Sequence, residues 1–475
     1  MNICSIVPPQ RPRFECRYTP VEHTRARTRR PARWLAFDVF LAVAGALPSL
    51  VGIALASPLL HDDWAFASDS KYLKFSAAFG TQTRSRPLEG LWNWTEFRLL
   101  GSNTAAHLVV LAVLNAVAAV LFWRLLERWL PRKIAVLVAL AWVALPNRAS
   151  THLWSTNSPH VFSLVMLLAA LLVASREPLT GRRFGTAVAL LAVGTLAYEG
   201  AICLGVVGLA GLAWTRGDPA VRRRWIVTAV AVMGAIGSWM LVTSPKRGSS
   251  PTPFSNLSHL AAAHFGPAVV ASPVIAAALA FGIAWCVAVV VLPGFRPGLE
   301  SKLVVLGLVV LGLGAAPFAA GGFPFSTSGF FDRGNLFADL GTALVFGSLI
   351  ALVLRVRWQV AGPALASVAL VVVAVPGIRS VGDYVRAGRD GRRLLAAVDA
   401  LPPAVRTRGP ITILPLPSHH SVAEFLIDYD ISGALALRYH TGAPLPRASM
   451  AISSATAGNR GWPVYKLVGT RLVER

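Results

Sequence analysis

Two adjacent carboxylates, Asp62 and Asp63, stand in the run His61-Asp62-Asp63-Trp64, directly after the first long apolar stretch at about 35–58. A carboxylate at the edge of hydrocarbon is costly to keep and marks a functional site by default. Such an acid can accept the proton of an attacking hydroxyl. Further polar groups recur on what the charge pattern makes the same side. They are Arg84 and Arg86-Pro87, Gly101-Ser102-Asn103 with His107, and Pro146-Asn147-Arg148 with His152, Trp154, Asn157 and His160. Tyr198-Glu199, Lys246-Arg247 and Asp332-Arg333-Gly334-Asn335 follow. Taken singly, each has a plain explanation. Arginines at a membrane edge snorkel to lipid phosphates, and a histidine in an apolar helix bonds a neighbouring helix. Taken together, they mix acids with cations around one face. That mixture suits transfer from a lipid phosphate, with a carboxylate as base and guanidinium groups on the phosphate oxygens as charge develops there. The candidate catalytic residues are therefore Asp62 and Asp63. The candidate substrate-binding residues are Arg86, His107, Arg148, His152, Glu199, Lys246, Arg247 and Arg333.

These residues need a membrane scaffold to hold them. Of 475 residues, 55% are hydrophobic and 14% charged, and a spanning helix takes roughly 20 apolar residues. The chain reads as an all-α polytopic membrane protein. Eleven apolar runs are read as spans, at about 35–58, 105–126, 133–146, 159–175, 184–198, 199–214, 225–243, 266–292, 303–319, 336–354 and 359–376. The first 33 residues, with eight arginines and two glutamates, read as a disordered basic cytoplasmic tail. Residues 34–376 form the transmembrane domain. Its first outside loop, 59–104, alternates aromatic and polar residues as interfacial helices do. Residues 377–475 read as a small α/β extracytoplasmic domain, with a basic helix over 379–400, a strand from Ile411 and a short helix over 420–429.

Charge tests this topology. With the tail inside, the inside segments carry 23 Lys and Arg and the outside loops nine, as the positive-inside rule requires. The joint that decides the later loops is residues 184–214, read as two spans meeting at Tyr198-Glu199-Gly200. One continuous helix there would move every later loop to the other side. The net charge of +23 does not signal nucleic acid, because the basic residues are dispersed among short loops between spans. The four cysteines have no metal-ligand spacing. No Gly-x-x-x-x-Gly-Lys-Ser/Thr, Gly-x-Gly-x-x-Gly or His-Glu-x-x-His run is found, which disfavours a nucleotide-driven pump, a nucleotide-sugar donor and zinc hydrolysis. No cofactor is expected. The acid pair could hold a divalent cation, but two adjacent acids do not by themselves make a metal site.

The layout resembles the GT-C superfamily of integral-membrane glycosyltransferases, which includes protein O-mannosyltransferases and aminoarabinose lipid A transferases. The resemblance rests on Asp62-Asp63, then Arg86-Pro87, Gly101-x-Asn103, His107 and Asn115, then Pro146 with His152-x-Trp154, then Tyr198-Glu199, and Arg333 at the start of a late span. It departs at Asn157-Ser158, where relatives carry an acid or arginine, and at Tyr198, where they often carry lysine. The resemblance implies an inverting transferase with a polyprenyl-phosphate sugar donor and no nucleotide. Its acceptor would be a lipid, glycan or protein on the extracytoplasmic face of a bacterial inner membrane, with the N-terminus cytoplasmic and the C-terminus outside. Two other classes compete. A lipid or polysaccharide transporter or flippase should show midplane charges and paired broken helices. A surface-polysaccharide ligase or polymerase should place its key residues in one large late loop.

Overall fold

A computed structural model of the chain describes residues 32–243 apart from 56, 58, 61, 146–147 and 217. It further describes 259–265, 273–292, 297–320, 325–326, 332–355, 361–401, 411–413, 428–439, 448–450, 464–468 and 471–474. Helix α1 (Ala32–Ala54) leads into three helices of the first loop, α2 (Asp62–Tyr72), α3 (Phe75–Ser85) and α4 (Pro87–Leu100). Pro87 opens α4 at a position whose N–H would have no helical partner anyway. Helix α5 (Thr104–Leu126) starts on Asn103, whose side chain accepts from the Ala106 N–H at 3.2 Å. Then come α6 (Arg132–Ala144), the single turn α7 (Ser150–Leu153), α8 (Ser158–Ala174), α9 (Gly181–Ala197), α10 (Ala201–Arg216) and α11 (Pro219–Thr243). A short α12 at 259–265 precedes α13 (Pro273–Val291), α14 (Leu299–Ala320), α15 (Asn335–Arg355) and α16 (Ala361–Asp399). Helix α17 (Asp428–Tyr439) and strands β1 (Ile411–Ile413), β2 (Ala448–Met450), β3 (Val464–Val468) and β4 (Arg471–Glu474) complete the described chain. The strands form one sheet of order β2-β1-β3-β4, parallel except for β3 with β4.

Each of the eleven apolar runs falls on a helix, but six of those helices among the described residues are long and apolar enough to cross a membrane. They are the helices at Leu35–Ala54, Thr104–Leu126, Ser155–Ala174, Pro219–Thr243, Leu299–Ala320 and Asp332–Arg355. Helices α6 and α9 have only 13 and 17 residues, too few for the hydrocarbon thickness without sinking their ends. The break expected at 198–200 is present, between α9 and α10. The boundary expected after Pro376 is not a break, since α16 continues through it for 39 residues. Of the helix expected over 420–429, only the part from Asp428 lies among the described residues, and that helix runs on to Tyr439.

Lipid tails are as apolar as leucine, so helices in a membrane associate through close packing and small residues rather than by escape from water. The pair α14 and α15 shows this. A Cβ on Gly341 would stand 2.2 Å from the Leu311 backbone nitrogen, and one on Gly314 would stand 2.6 Å from the Ala338 nitrogen. Gly347 lies against Val138 of α6 in the same way. Ion pairs and hydrogen bonds tie other seams. Arg124 of α5 pairs with Asp38 of α1, and the Asn115 side chain donates to the Thr151 carbonyl at 3.0 Å.

The C-terminal half of α16 lies over the start of the first loop. Tyr384 and Ala387 pack on Leu60, Ala149, Leu153 and Trp154. Leu394, Leu395 and Val398 pack on Ile431, Ala434 and Leu435 of α17, with Trp64 against them. Helix α17 lies along α2, and the Tyr72 hydroxyl donates to the Ala436 carbonyl at 3.4 Å. The C-terminal segment therefore sits on the same side of the bundle as Asp62 and Asp63.

Replacing Gly341 by alanine should lower the thermal midpoint of the detergent-solubilised protein, with an overpacking cost of about 1–3 kcal/mol. Gly312→Ala, on the partner helix α14 but with open space around its Cβ, should leave it unchanged. Equal midpoints for the two variants would refute the backbone contact.

Candidate functional site

The two acids of the pair have separate surroundings. Both lie in the first turn of α2, where a negative charge complements the helix dipole. Asp62 is partly exposed. Asp63 is fully buried, and its carboxylate accepts from the backbone N–H groups of Leu60 at 3.2 Å, Ser155 at 3.3 Å and Thr156 at 2.9 Å. Burial pushes its pKa up to about 7, against the pull of His107 and of those three N–H groups. Asp63 thus joins the start of α2 to the turn between α7 and α8, and presents Asp62 beside it.

A second network lies behind the pair. Glu96 of α4 accepts from Trp92 Nε1 at 2.7 Å and from the Ser158 hydroxyl at 2.6 Å, and bonds His107 Nδ1 at 2.7 Å. His107 Nε2 faces the Gly101 carbonyl at 3.0 Å. Both ring nitrogens face acceptors, so the imidazole is placed to donate on both sides. Its electrostatic influence reaches Asp63.

The third group is an ion cluster where α4, α8 and the α9–α10 break meet. Arg86 pairs with Glu199 and, at 3.1 Å, with Glu89. Its guanidinium lies 4.8 Å from the centre of the Tyr198 ring. Burial works against the charge on Arg86, but Glu199 and Glu89 outweigh it and hold the group charged. Burial would likewise raise Glu89, yet Arg86 and His160 bring it down to about 2. His160 lies 3.7 Å from Glu89 and packs its ring on Tyr198 with centroids 3.6 Å apart. Arg333, in the turn before α15, lies 5.3 Å from the centre of the Trp154 ring and acts electrostatically on Glu89.

Arg148 and His152 form a separate buried group. Arg148 is 1% exposed. It stacks on Trp142 at 3.8 Å, donates to that residue's carbonyl at 2.8 Å, and stands 3.9 Å from Asp339. Burial pushes it down to about 10, with Asp339 opposing. The His152 carbonyl accepts from Ser49 of α1 at 2.8 Å. His61, Lys246 and Arg247 lie outside the described residues. Asp62, Asp63, Arg86, His107, Glu199 and Arg333 are thus placed around one edge, while Arg148 and His152 are built into the packing beneath it. Glu89 and Glu96 escaped the sequence reading. Their signal was present, because Glu89 sits three residues after Arg86 and Glu96 four after Trp92, the spacings that meet on a helix face. Among the described residues, no three His, Cys, Asp or Glu side chains stand together as a metal site would need.

The long apolar helices define a multi-pass membrane protein, with the charged clusters gathered about α2, α4, α8 and the α9–α10 break. Residues 85–245, about a third of the chain, match the family described as dolichyl-phosphate-mannose-protein mannosyltransferase. The match supports a membrane glycosyltransferase of the GT-C type. It takes in Arg86, Glu89, Glu96, His107 and Glu199, begins after the acid pair and ends before Arg333. No curated protein matches the chain.

The raised pKa of Asp63 fixes a sign. A carboxyl whose folded pKa lies above its unfolded value adds stability that is present at low pH and is lost as pH rises through the folded value. From pH 5 to 8 the thermal midpoint of the wild type should therefore fall relative to that of Asp63→Asn, which cannot ionise. Parallel pH profiles for the two proteins would exclude the assignment.

Proposed function

We propose that the chain transfers a sugar from a polyprenyl-phosphate donor to a hydroxyl of a lipid, glycan or protein acceptor, on the extracytoplasmic face and with inversion. The observation that carries this reading is the family match, which spans the ion cluster from Arg86 to Glu199 beside the acid pair. Asp62 is the general base, or the group that orients the acceptor hydroxyl. Asp63 supports it, because its own carboxylate is committed to three backbone N–H groups. The acceptor oxygen attacks the anomeric carbon, and its proton passes to Asp62. The bond from that carbon to the phosphate oxygen breaks, and the electron pair leaves with the polyprenyl phosphate. Arg86 and Arg333 receive the charge that grows there, with Arg86 exchanging one of its carboxylate partners for the phosphate. A guanidinium can bind two phosphate oxygens in its plane, which lysine does not reproduce.

Asp62→Asn keeps the shape and removes the charge. It should cost transfer about 10²–10⁴-fold, as loss of a general base does, with normal membrane insertion. The measurement is transfer from polyprenyl-phosphate sugar in proteoliposomes, and near-full activity of Asp62→Asn would remove the role. Arg333→Lys and Arg86→Lys should weaken donor use, read as a raised KM for the donor. Unchanged donor affinity in both variants would exclude the phosphate contact.

The C-terminal segment lies outside the membrane in this reading. A reporter active only in the cytoplasm, fused after Arg475, should stay silent, and a bright signal would reverse the topology.

A further inference from the structure

A cavity of about 410 Å³ lies where the outer ends of α1 and α5 meet the C-terminal helices. Ile53, Leu59 and Leu108 form its apolar wall. Arg392 of α16 and Arg438 of α17 line the opposite side. Among the described residues, its lining holds two guanidinium groups and no carboxylate. Asp399, outside the lining, accepts from Arg438 Nε at 2.9 Å and also from its Nη2, an ion pair that offsets the Arg438 charge. Thr104 and Ala105, the first two residues of α5, also line it. The positive end of a 23-residue helix therefore faces the same space. The cavity belongs to neither charged cluster of the candidate site. Trp64 lines it, whereas the neighbouring Asp63 points its carboxylate at Ser155 and Thr156.

The helices that lead to this cavity carry exposed apolar stripes. Leu35, Val39, Val43, Leu47 and Leu50 follow one another on α1, and Val109, Val113 and Val117 on α5. Spacings of three and four residues put each set on one face of its helix. In a bilayer such stripes lie against acyl chains. Their ends reach the cavity, where the two guanidinium groups stand.

We propose that this cavity is a binding site for an anionic phospholipid of the surrounding bilayer, its phosphodiester between Arg392, Arg438 and the start of α5, and its chains along the α1 and α5 stripes. The occupant follows from charge and shape. Two guanidinium groups and the start of α5 offer hydrogen-bond donors that suit a singly charged phosphodiester, and the chains need no enclosed tunnel because the stripes are open to the membrane. A lipid held there touches the transmembrane bundle on one side and α16 and α17 on the other. It would fasten the C-terminal helices to the bundle in a manner that depends on lipid charge.

The test is lipid retention by the full-length protein in native mass spectrometry after incubation with phosphatidylglycerol, phosphatidylcholine or a polyprenyl phosphate. No sugar donor is present, so the outcome is independent of transferase activity. Wild type should retain phosphatidylglycerol roughly tenfold better than phosphatidylcholine, since each basic side chain near a headgroup contributes on the order of a tenfold preference or somewhat less. The double variant Arg392→Gln/Arg438→Gln should lose that preference. Ala105→Phe, which fills the cavity and keeps both arginines, should lose it too and serves if the double variant does not fold. Equal retention of the two phospholipids by wild type would overturn the site. So would an undiminished preference in Ala105→Phe. A preference for polyprenyl phosphate over phosphatidylglycerol, abolished by the same variants, would replace the bilayer lipid with a carrier lipid and defeat the proposal as stated.

Discussion

The carboxylate of Asp63 holds the edge of this molecule together. One buried side chain accepts from the backbone at Leu60, just before α2, and at Ser155 and Thr156, between α7 and α8. Those segments are about 90 residues apart in the chain. Without that acceptor, three backbone donors would lie buried without a partner, and each costs about 1–3 kcal/mol. The entry of the chain into α2 is therefore fixed relative to the start of α8. Everything else at the rim builds on that registration. Glu96 reaches Ser158, Glu89 lies 3.7 Å from His160, and Arg86 reaches Glu199, each a polar contact from the α4 region to α8 or the α9–α10 break.

The three contacts share a logic. An ion pair in a region of low dielectric is worth having only if its geometry is good and its remaining lone pairs are met. Arg86 meets two carboxylates and an aromatic face at once. Glu96 meets a histidine, a serine and an indole. Such multiple pairing holds Arg86 and Glu96 in place. It also means that an anionic ligand at Arg86 must compete with acids already there, which makes binding a matter of exchange rather than of filling an open cationic site.

Much of this was legible in the sequence, and the limits follow from what sequence patterns encode. Apolar runs placed the helices, and the polar triplet Tyr198-Glu199-Gly200 placed the break between α9 and α10. Arg86, His107, Glu199 and Arg333 were picked out because charge is rare in such a chain. What spacing does not encode is partnership across helices. Nothing in the sequence tells that Arg148, at a loop, turns inward onto Trp142 and Asp339. Nor does it tell that Glu89 and Glu96, ordinary acids on an amphipathic loop, turn toward α8. The run through Pro376 shows the converse. A proline signals a stop, but in a long helix neighbouring groups can meet the freed carbonyl, and α16 carries on.

Helix α16 spans 39 residues, roughly 58 Å at the helical rise per residue. One end lies in an apolar run and the other carries Tyr384, Leu394 and Leu395 against the residues around Asp62. A rod of that length is a lever. A tilt of only about 5° at its membrane end displaces the far end by roughly 5 Å, more than the reach of any hydrogen bond at the rim. Whatever fixes the first turns of α16 among its neighbouring helices, which is what sets a long helix's tilt, thereby also sets how closely its far end covers those residues.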